Sequence, residues 1–144
     1  MPAPHLTTIK VRFNELDPYG HVNHAQYISY FEHARTEALE TVGLGLHEMA
    51  DKGVQVVVMD LAAKYKAAAV ASDVLTVETS VAELRRASTI WWQRITRVTD
   101  DGDQQLVATL TVKGGITDNH GKPMRPPKWL FDQMSPLVLE PPTD

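Results

Sequence analysis

Apolar and polar positions alternate at the start of the chain and then change period. Thr8-Ile9-Lys10-Val11-Arg12-Phe13 puts Ile9, Val11 and Phe13 on one face and predicts a half-buried strand over 8–13, broken by Pro18 and Gly20. From about residue 24 the spacing becomes helical through Tyr27, Ile28, Phe31, Ala34, Arg35, Ala38, Leu39 and Val42. Asn23 stands where an N-cap belongs, and Gly43 is a natural stop. A helix of about 19 residues is roughly 28 Å long, the span of a small domain. Tyr27, Tyr30 and Phe31 read as packing residues, and Glu32 and Arg35, three apart, as a pair on the helix surface.

The second half reads as strands. Val54 to Met59 is a β-branched run that continues through Lys64-Tyr65-Lys66, and Leu75, Val77, Thr79 and Val81 alternate with polar residues. Ser88 to Val98 and Gln105 to Lys113 flank the turn Asp100-Asp101-Gly102-Asp103, a strong hairpin signal. Pro126-Pro127 opens a short helical piece, Lys128 to Met134. One strand, one long helix, then four or five strands joined by short turns imply an antiparallel sheet against which the helix buries its stripe, an α+β fold. The sheet has an edge, and Trp91, Trp92 and Ile95 place apolar groups on both faces of one strand. That predicts self-association, as a homodimer or homotetramer.

Composition narrows the function. A chain of 144 residues, 43% hydrophobic, fits a single domain over 1–144. With no cysteine, a disulfide framework, a thiolate zinc site and a cysteine nucleophile are all excluded. No run approaches the roughly 20 apolar residues that cross a bilayer. Met1-Pro2-Ala3-Pro4-His5 lacks the basic and apolar regions of a secretory signal, so a cytoplasmic location without membrane insertion is expected. The net charge of −4 argues against a general nucleic-acid binder. Two windows oppose that sign: Arg85, Arg86, Arg94 and Arg97 lie within 85–97 without an acid, and Lys113, Lys122, Arg125 and Lys128 face only Asp118 within 113–128. They suit a local anion site or, with equal weight, a solvated strand face and loop.

Chemistry concentrates between the first strand and the helix. Asp17 sits in a loop that feeds a helix N-terminus, where free N–H groups and the positive end of the dipole favour a developing oxyanion. A carboxylate there is a base or a nucleophile; as turn and capping residues alone, Asp17 and Asn23 would do no chemistry. His21 and His24 form His-x-x-His beside Asp17 but lack the His-Glu-x-x-His pattern of a helical zinc site, and no metal is expected. His33 and His120 read as structural or solvated. There is no Gly-x-Ser-x-Gly elbow, and Gly43-Leu44-Gly45-Leu46 lacks the Lys-Ser/Thr of a phosphate loop.

The segment resembles the signature of the hotdog-fold thioesterases, of the 4-hydroxybenzoyl-CoA thioesterase-like family and its Tol-Pal-associated group. The matching residues are Arg12-Phe13, Glu15-Leu16-Asp17, Gly20-His21-Val22-Asn23, and Tyr27, Tyr30, Glu32 and Arg35, with Gly121-Lys122-Pro123-Met124-Arg125-Pro126-Pro127 before the last helix. The resemblance implies a curved antiparallel sheet wrapped around one central helix, and hydrolysis of acyl-CoA to a carboxylic acid and free CoA. It assigns catalysis to Asp17, as nucleophile or general base, and carbonyl polarisation to the backbone N–H of His24, with His21 a further candidate. Coenzyme A enters as part of the substrate, with no separate cofactor. Its phosphates would meet Arg85, Arg86, Arg125 and Lys128, since guanidinium groups grip phosphate well. Two positions depart from the family pattern: Leu16 where Thr is common, and His24 where Asn is, an imidazole that bears on pH profile or acyl preference. An acyl-carrier-protein thioesterase and a non-catalytic acyl-thioester binding module are the alternatives; a hotdog dehydratase has a different His–Asp pattern.

Overall fold

The computed structural model describes residues 3–142. Strand β1 (His5–Lys10) leads through a short 3-10 turn (Phe13–Glu15) and a loop into α1 (His24–Thr41). A short α2 (Leu46–Asp51) precedes β2 (Gln55–Tyr65), β3 (Val74–Leu84), β4 (Ser88–Val98) and β5 (Gln104–Thr117), and α3 (Lys128–Met134) follows. The five strands form one antiparallel sheet in the order β1-β3-β4-β5-β2, with an extra residue in each of β2, β3 and β5, at Met59, Ala82 and Val107. This is the expected hotdog arrangement of one sheet and one long helix. Bulges of this kind bend a strand and increase its twist.

α1 forms where the periodicity places it. The Asn23 side chain accepts from the Ala25 N–H at 2.9 Å, and Gly43 takes the positive φ of 78° that ends the helix. Its buried face carries Tyr27, Tyr30, Phe31, Ala34, Ala38 and Leu39, in one core with Leu75, Val77, Val81, Trp91, Ile95 and Leu110 of the sheet.

Polar ties fix the helix on the sheet. Gln93 is fully buried on β4; its amide donates to the Phe31 carbonyl and to Thr79 Oγ1, both at 2.9 Å, and its carbonyl accepts from Arg35 at 2.9 Å. Arg35 therefore turns inward to the sheet, and the expected surface pairing with Glu32 gives way to this bond. Burial lowers the Arg35 pKa, and the charge of Glu32 acts in the opposite direction.

Other departures have local causes. β1 begins earlier than the alternation indicates and ends at Lys10; Phe13 enters the 3-10 turn and is 87% exposed. α2 went unpredicted because its six residues bury only Met49, too few for a period to show. Trp91 and Ile95 are covered by the core, and only Trp92 faces the other side, half-buried with the Arg94 guanidinium beside its ring. The apolar surface expected on that strand lies instead on β2, where Val58, Met59 and Leu61 are exposed. β5 runs on to Thr117 because Gly114 and Gly115 interrupt its alternation without ending the strand. A Cβ at Gly114 would come within 2.7 Å of Thr89 Oγ1, and one at Gly115 within 2.7 Å of Met59 Sδ. Among the described residues no helix is long and apolar enough to cross a membrane.

Replacing Gln93 by Leu takes the buried partner from the Arg35 guanidinium and from Thr79 Oγ1. A loss of about 3 kcal/mol is expected, since each buried group left unpaired costs about 1–3 kcal/mol; urea unfolding measures it.

Candidate active site

The loop between β1 and α1 is tied at both ends. Glu15, 3% exposed, receives the Arg12 backbone N–H on Oε1 at 2.8 Å and the Arg12 guanidinium on Oε2 at 2.6 Å. The Tyr30 hydroxyl donates to Oε1 at 2.8 Å, and the Glu15 carbonyl accepts from the Asn23 N–H at 2.9 Å. One carboxylate thus joins the strand end, the loop and the second turn of α1. Burial alone would raise its pKa, but the hydrogen bonds from Arg12 and Tyr30 outweigh this and hold it below the ordinary glutamate value. Tyr30 moves the other way, raised by burial and by its bond to the carboxylate.

Between these ties the chain makes a small reversal. Leu16 bridges Val22, the Asp17 N–H donates to the His21 carbonyl at 2.7 Å, and Gly20, at φ 78°, donates to the Asp17 carbonyl. The half-buried Asp17 carboxylate accepts the N–H groups of Tyr19 at 2.9 Å and His21 at 3.1 Å, both on Oδ1. No donor among the described residues reaches Oδ2. The turn geometry expected of an inert Asp17 is present, and it engages one oxygen of the two.

Asp17, His21 and His24 line one open cavity of about 340 Å³ with Val22, Tyr27 and Tyr65. His24 is the first residue of α1; its neighbours' N–H groups are used by Asn23, and no acceptor among the described residues meets its own. The hydroxyl of Tyr65 donates to the His24 carbonyl at 2.9 Å, and the Tyr27 hydroxyl accepts from the Ala69 N–H at 3.0 Å. These bonds fasten the start of α1 to the end of β2. Sequence reasoning missed Tyr65; the aromatic residue closing the β2 run was the available signal. A carboxylate oxygen and a free helix N-terminal N–H facing one cavity can activate a nucleophile and polarise a carbonyl together. Asp17, His21 and His24 do not form a three-residue cluster able to hold a metal ion, and no other cluster among the described residues does so.

The basic residues divide. Arg86 and Arg125 line a separate cavity of about 570 Å³ with Val57, Met59, Ile116 and Met124. Arg85 is paired with Glu83 at 3.1 Å, and Lys128 lies 3.7 Å from Asp132. Arg94 and Arg97 pair with Glu78 and Asp73 across the sheet. Three of the four arginines of the 85–97 window thus have carboxylate partners, in the 113–128 window only Lys128 among the described residues is paired with one, and Arg86 and Arg125 share a cavity. His33 is exposed beside Glu37, and His120 lies exposed in a turn.

Glu15→Gln keeps the shape and removes the charge. About 2 kcal/mol of stability at pH 7 should be lost, within the range for hydrogen bonds to charged groups. The lowered folded-state pKa makes the Glu15 contribution complete above its unfolded value and lost as pH falls through the folded one. Urea unfolding of both proteins from pH 7 to pH 3 should therefore show the difference shrinking in acid.

Known proteins with this arrangement are numerous. The family model described as the thioesterase-like superfamily matches residues 11–134. The acyl-CoA thioesterase YbgC of Haemophilus influenzae is 34% identical over 122 residues, 83% of this chain and 86% of its own. The structure of the probable thioesterase YbaW of Escherichia coli superposes with a TM-score of 0.79 at 31% identity, over 94% of this chain and 99% of that one. A 4-hydroxybenzoyl-CoA thioesterase structure, 24% identical, shares the fold with a TM-score of 0.81 over 90% and 99% of the two chains. By the extent of these matches, the chain belongs to the thioesterase-like superfamily.

Proposed function

We propose that the protein is an acyl-CoA thioesterase that uses Asp17 and the helix N-terminus at His24. The observation that carries this reading is the meeting, in one cavity, of a carboxylate with one oxygen free and a helix N–H without an acceptor. The thioester carbonyl oxygen accepts the His24 N–H, and the helix dipole stabilises the charge that builds there. Asp17 either takes a proton from an attacking water or attacks the carbonyl itself, forming an anhydride that water opens. In both routes the C–S bond breaks, water supplies the hydroxyl of the acid, and a proton goes to the CoA thiolate. The Tyr19 and His21 N–H groups hold Oδ1, so the carboxylate is oriented before substrate arrives. His21 lines the same cavity and is a further candidate for the reaction. The YbgC relative, an acyl-CoA thioesterase by name, supports CoA as the thiol.

A second copy of the chain completes the site. β2 is an outer strand of 11 residues whose exposed Val58, Met59 and Leu61 leave an apolar edge unpaired within the chain. The Asp17 cavity includes Tyr65 at one end of β2, and the Arg86–Arg125 cavity includes Val57 near the other, about 26 Å along an extended strand. Antiparallel pairing of two β2 edges about a two-fold near Asp60 sets Tyr65 of one protomer beside Gln55 of its partner. The partner's arginine cavity, bordered by Val57 and Met59 on the outer face of β2, then lies across the strand pair from the Asp17 cavity on the helix side. In this homodimer, or a tetramer built from it, Arg86 and Arg125 meet the CoA phosphates, with Arg85 and Lys128 weaker because each has a carboxylate neighbour.

Asp17→Asn retains an oxygen for the Tyr19 and His21 N–H groups and should fold normally. In a thiol-release assay its kcat should fall at least about 100-fold, the scale of lost acid–base catalysis; an unchanged rate removes Asp17 from the reaction. Replacing Arg86 and Arg125 by Ala should raise KM for acyl-CoA about tenfold, equal to about 1.4 kcal/mol of phosphate binding. Acyl-pantetheine thioesters should be unaffected, and an unchanged KM for acyl-CoA rejects the phosphate assignment.

A further inference from the structure

A trough leads away from the reaction centre. On α1, His24, Ile28, Glu32, Arg35 and Leu39 recur at three- and four-residue spacing and so share one flank of the helix. Opposite them, the register pairs Tyr65, Ala63, Leu61 and Val58 of β2 with Ala108, Leu110, Val112 and Gly114 of β5. Paired residues project from the same face, and the burial of Ala108, Leu110 and Val112 identifies that face as the one turned to the helix. Yet Leu61 remains 39% and Val58 48% exposed. α1 lies against β1 and β3, so that Tyr65, Leu61 and Val58 of this stripe stay exposed while Ala63 packs against the core. Tyr65, bonded to His24, stands at one end of this stripe, and a cavity of about 240 Å³ walled by Leu39, Met49, Val56, Trp91 and Val112 lies at the other.

We propose that this trough is the acyl channel, and that the enzyme acts on long aliphatic thioesters of about 12 to 16 carbons; this rests on the thioesterase reading above. The distances select the length. Along α1, Glu32 lies about 12 Å and Leu39 about 22 Å beyond His24. C–C bonds in an extended chain advance about 1.3 Å per carbon. The ninth carbon or so therefore enters the end cavity, and about the seventeenth meets its wall. The volume agrees: at roughly 30 Å³ for a group the size of a water molecule, the cavity takes about eight methylenes. A short acyl chain or a single aromatic ring stops in the open trough and leaves the cavity unfilled. Each methylene moved from water into the cavity favours binding about fourfold. Arg35 and Glu32 edge the cavity, with the Arg35 guanidinium drawn toward Gln93 and the aliphatic walls beyond.

The test is the chain-length profile of kcat/KM, by thiol release, from butanoyl-CoA to octadecanoyl-CoA, with benzoyl-CoA alongside. The wild type should favour dodecanoyl- to hexadecanoyl-CoA over butanoyl-CoA by at least about tenfold, a few methylenes' worth of burial. Thr36→Phe, which fills the cavity from α1, should cost hexadecanoyl-CoA about tenfold and leave hexanoyl-CoA unchanged. Leu46→Trp blocks from α2 and gives the same result if the first variant folds poorly. A wild-type preference for butanoyl- or benzoyl-CoA, or one profile shared by wild type and both variants, overturns the channel while the hydrolase reading stands. Release from none of the thioesters, short ones included, overturns the hydrolase reading and the channel together.

Discussion

A carboxylate removed from water must find hydrogen bonds for its oxygens, and Glu15 finds them on Arg12, just past β1, and on Tyr30 of α1. That requirement fixes where β1 may end, how the loop reverses and where α1 begins. If Arg12 were in a different backbone conformation, or α1 were turned by one residue, either the backbone N–H of Arg12 or the Tyr30 hydroxyl would miss its oxygen. The position of Asp17, two residues on, follows from this closure. So does that of His24, because the Asn23 N–H is bound to the Glu15 carbonyl. Asp17 and His24 therefore sit on a loop whose shape is decided by the buried carboxylate beneath it.

β2 is the second organising element. Its face, edge and two ends are used differently: the inner face borders the trough, the edge is left for a second strand, and the ends border the two cavities. One strand can serve all of these because alternate side chains point to opposite faces while the backbone groups remain free at the edge. The mutual dependence of dimerisation, phosphate binding and acyl selection would then be a property of this strand, with no longer-range coupling required.

Much of this was legible in the chain. The helical period, Asn23 and Gly43 located α1 within a residue or so, because capping and periodicity are local. The Asp100–Asp103 turn located the β4–β5 hairpin for the same reason, with the Thr99 N–H donating to the Asp103 carbonyl. Asp17 and His24 were legible through the motif. What escaped depends on partners distant in sequence. Arg35 is drawn inward by Gln93, 58 residues away, a contact that no spacing on α1 reveals. The pairing of Arg94 and Arg97 was hidden because their acids, Glu78 on β3 and Asp73 just before it, lie outside the window and meet them only across the sheet. Tyr65 was overlooked because its role is defined by the helix end it meets, 41 residues earlier.

The bare backbone at Gly115 has an evolutionary consequence. Met59 rests where a Cβ at 115 would stand, and both residues wall the cavity that holds Arg86 and Arg125. Methionine is flexible enough to be displaced without unfolding the strand. A single step from glycine to alanine would thus reshape the cavity and the outer strand together, while leaving Asp17 and the start of α1 untouched. The shape of the cavity beside Arg86 and Arg125 can therefore change in evolution independently of the Asp17 loop.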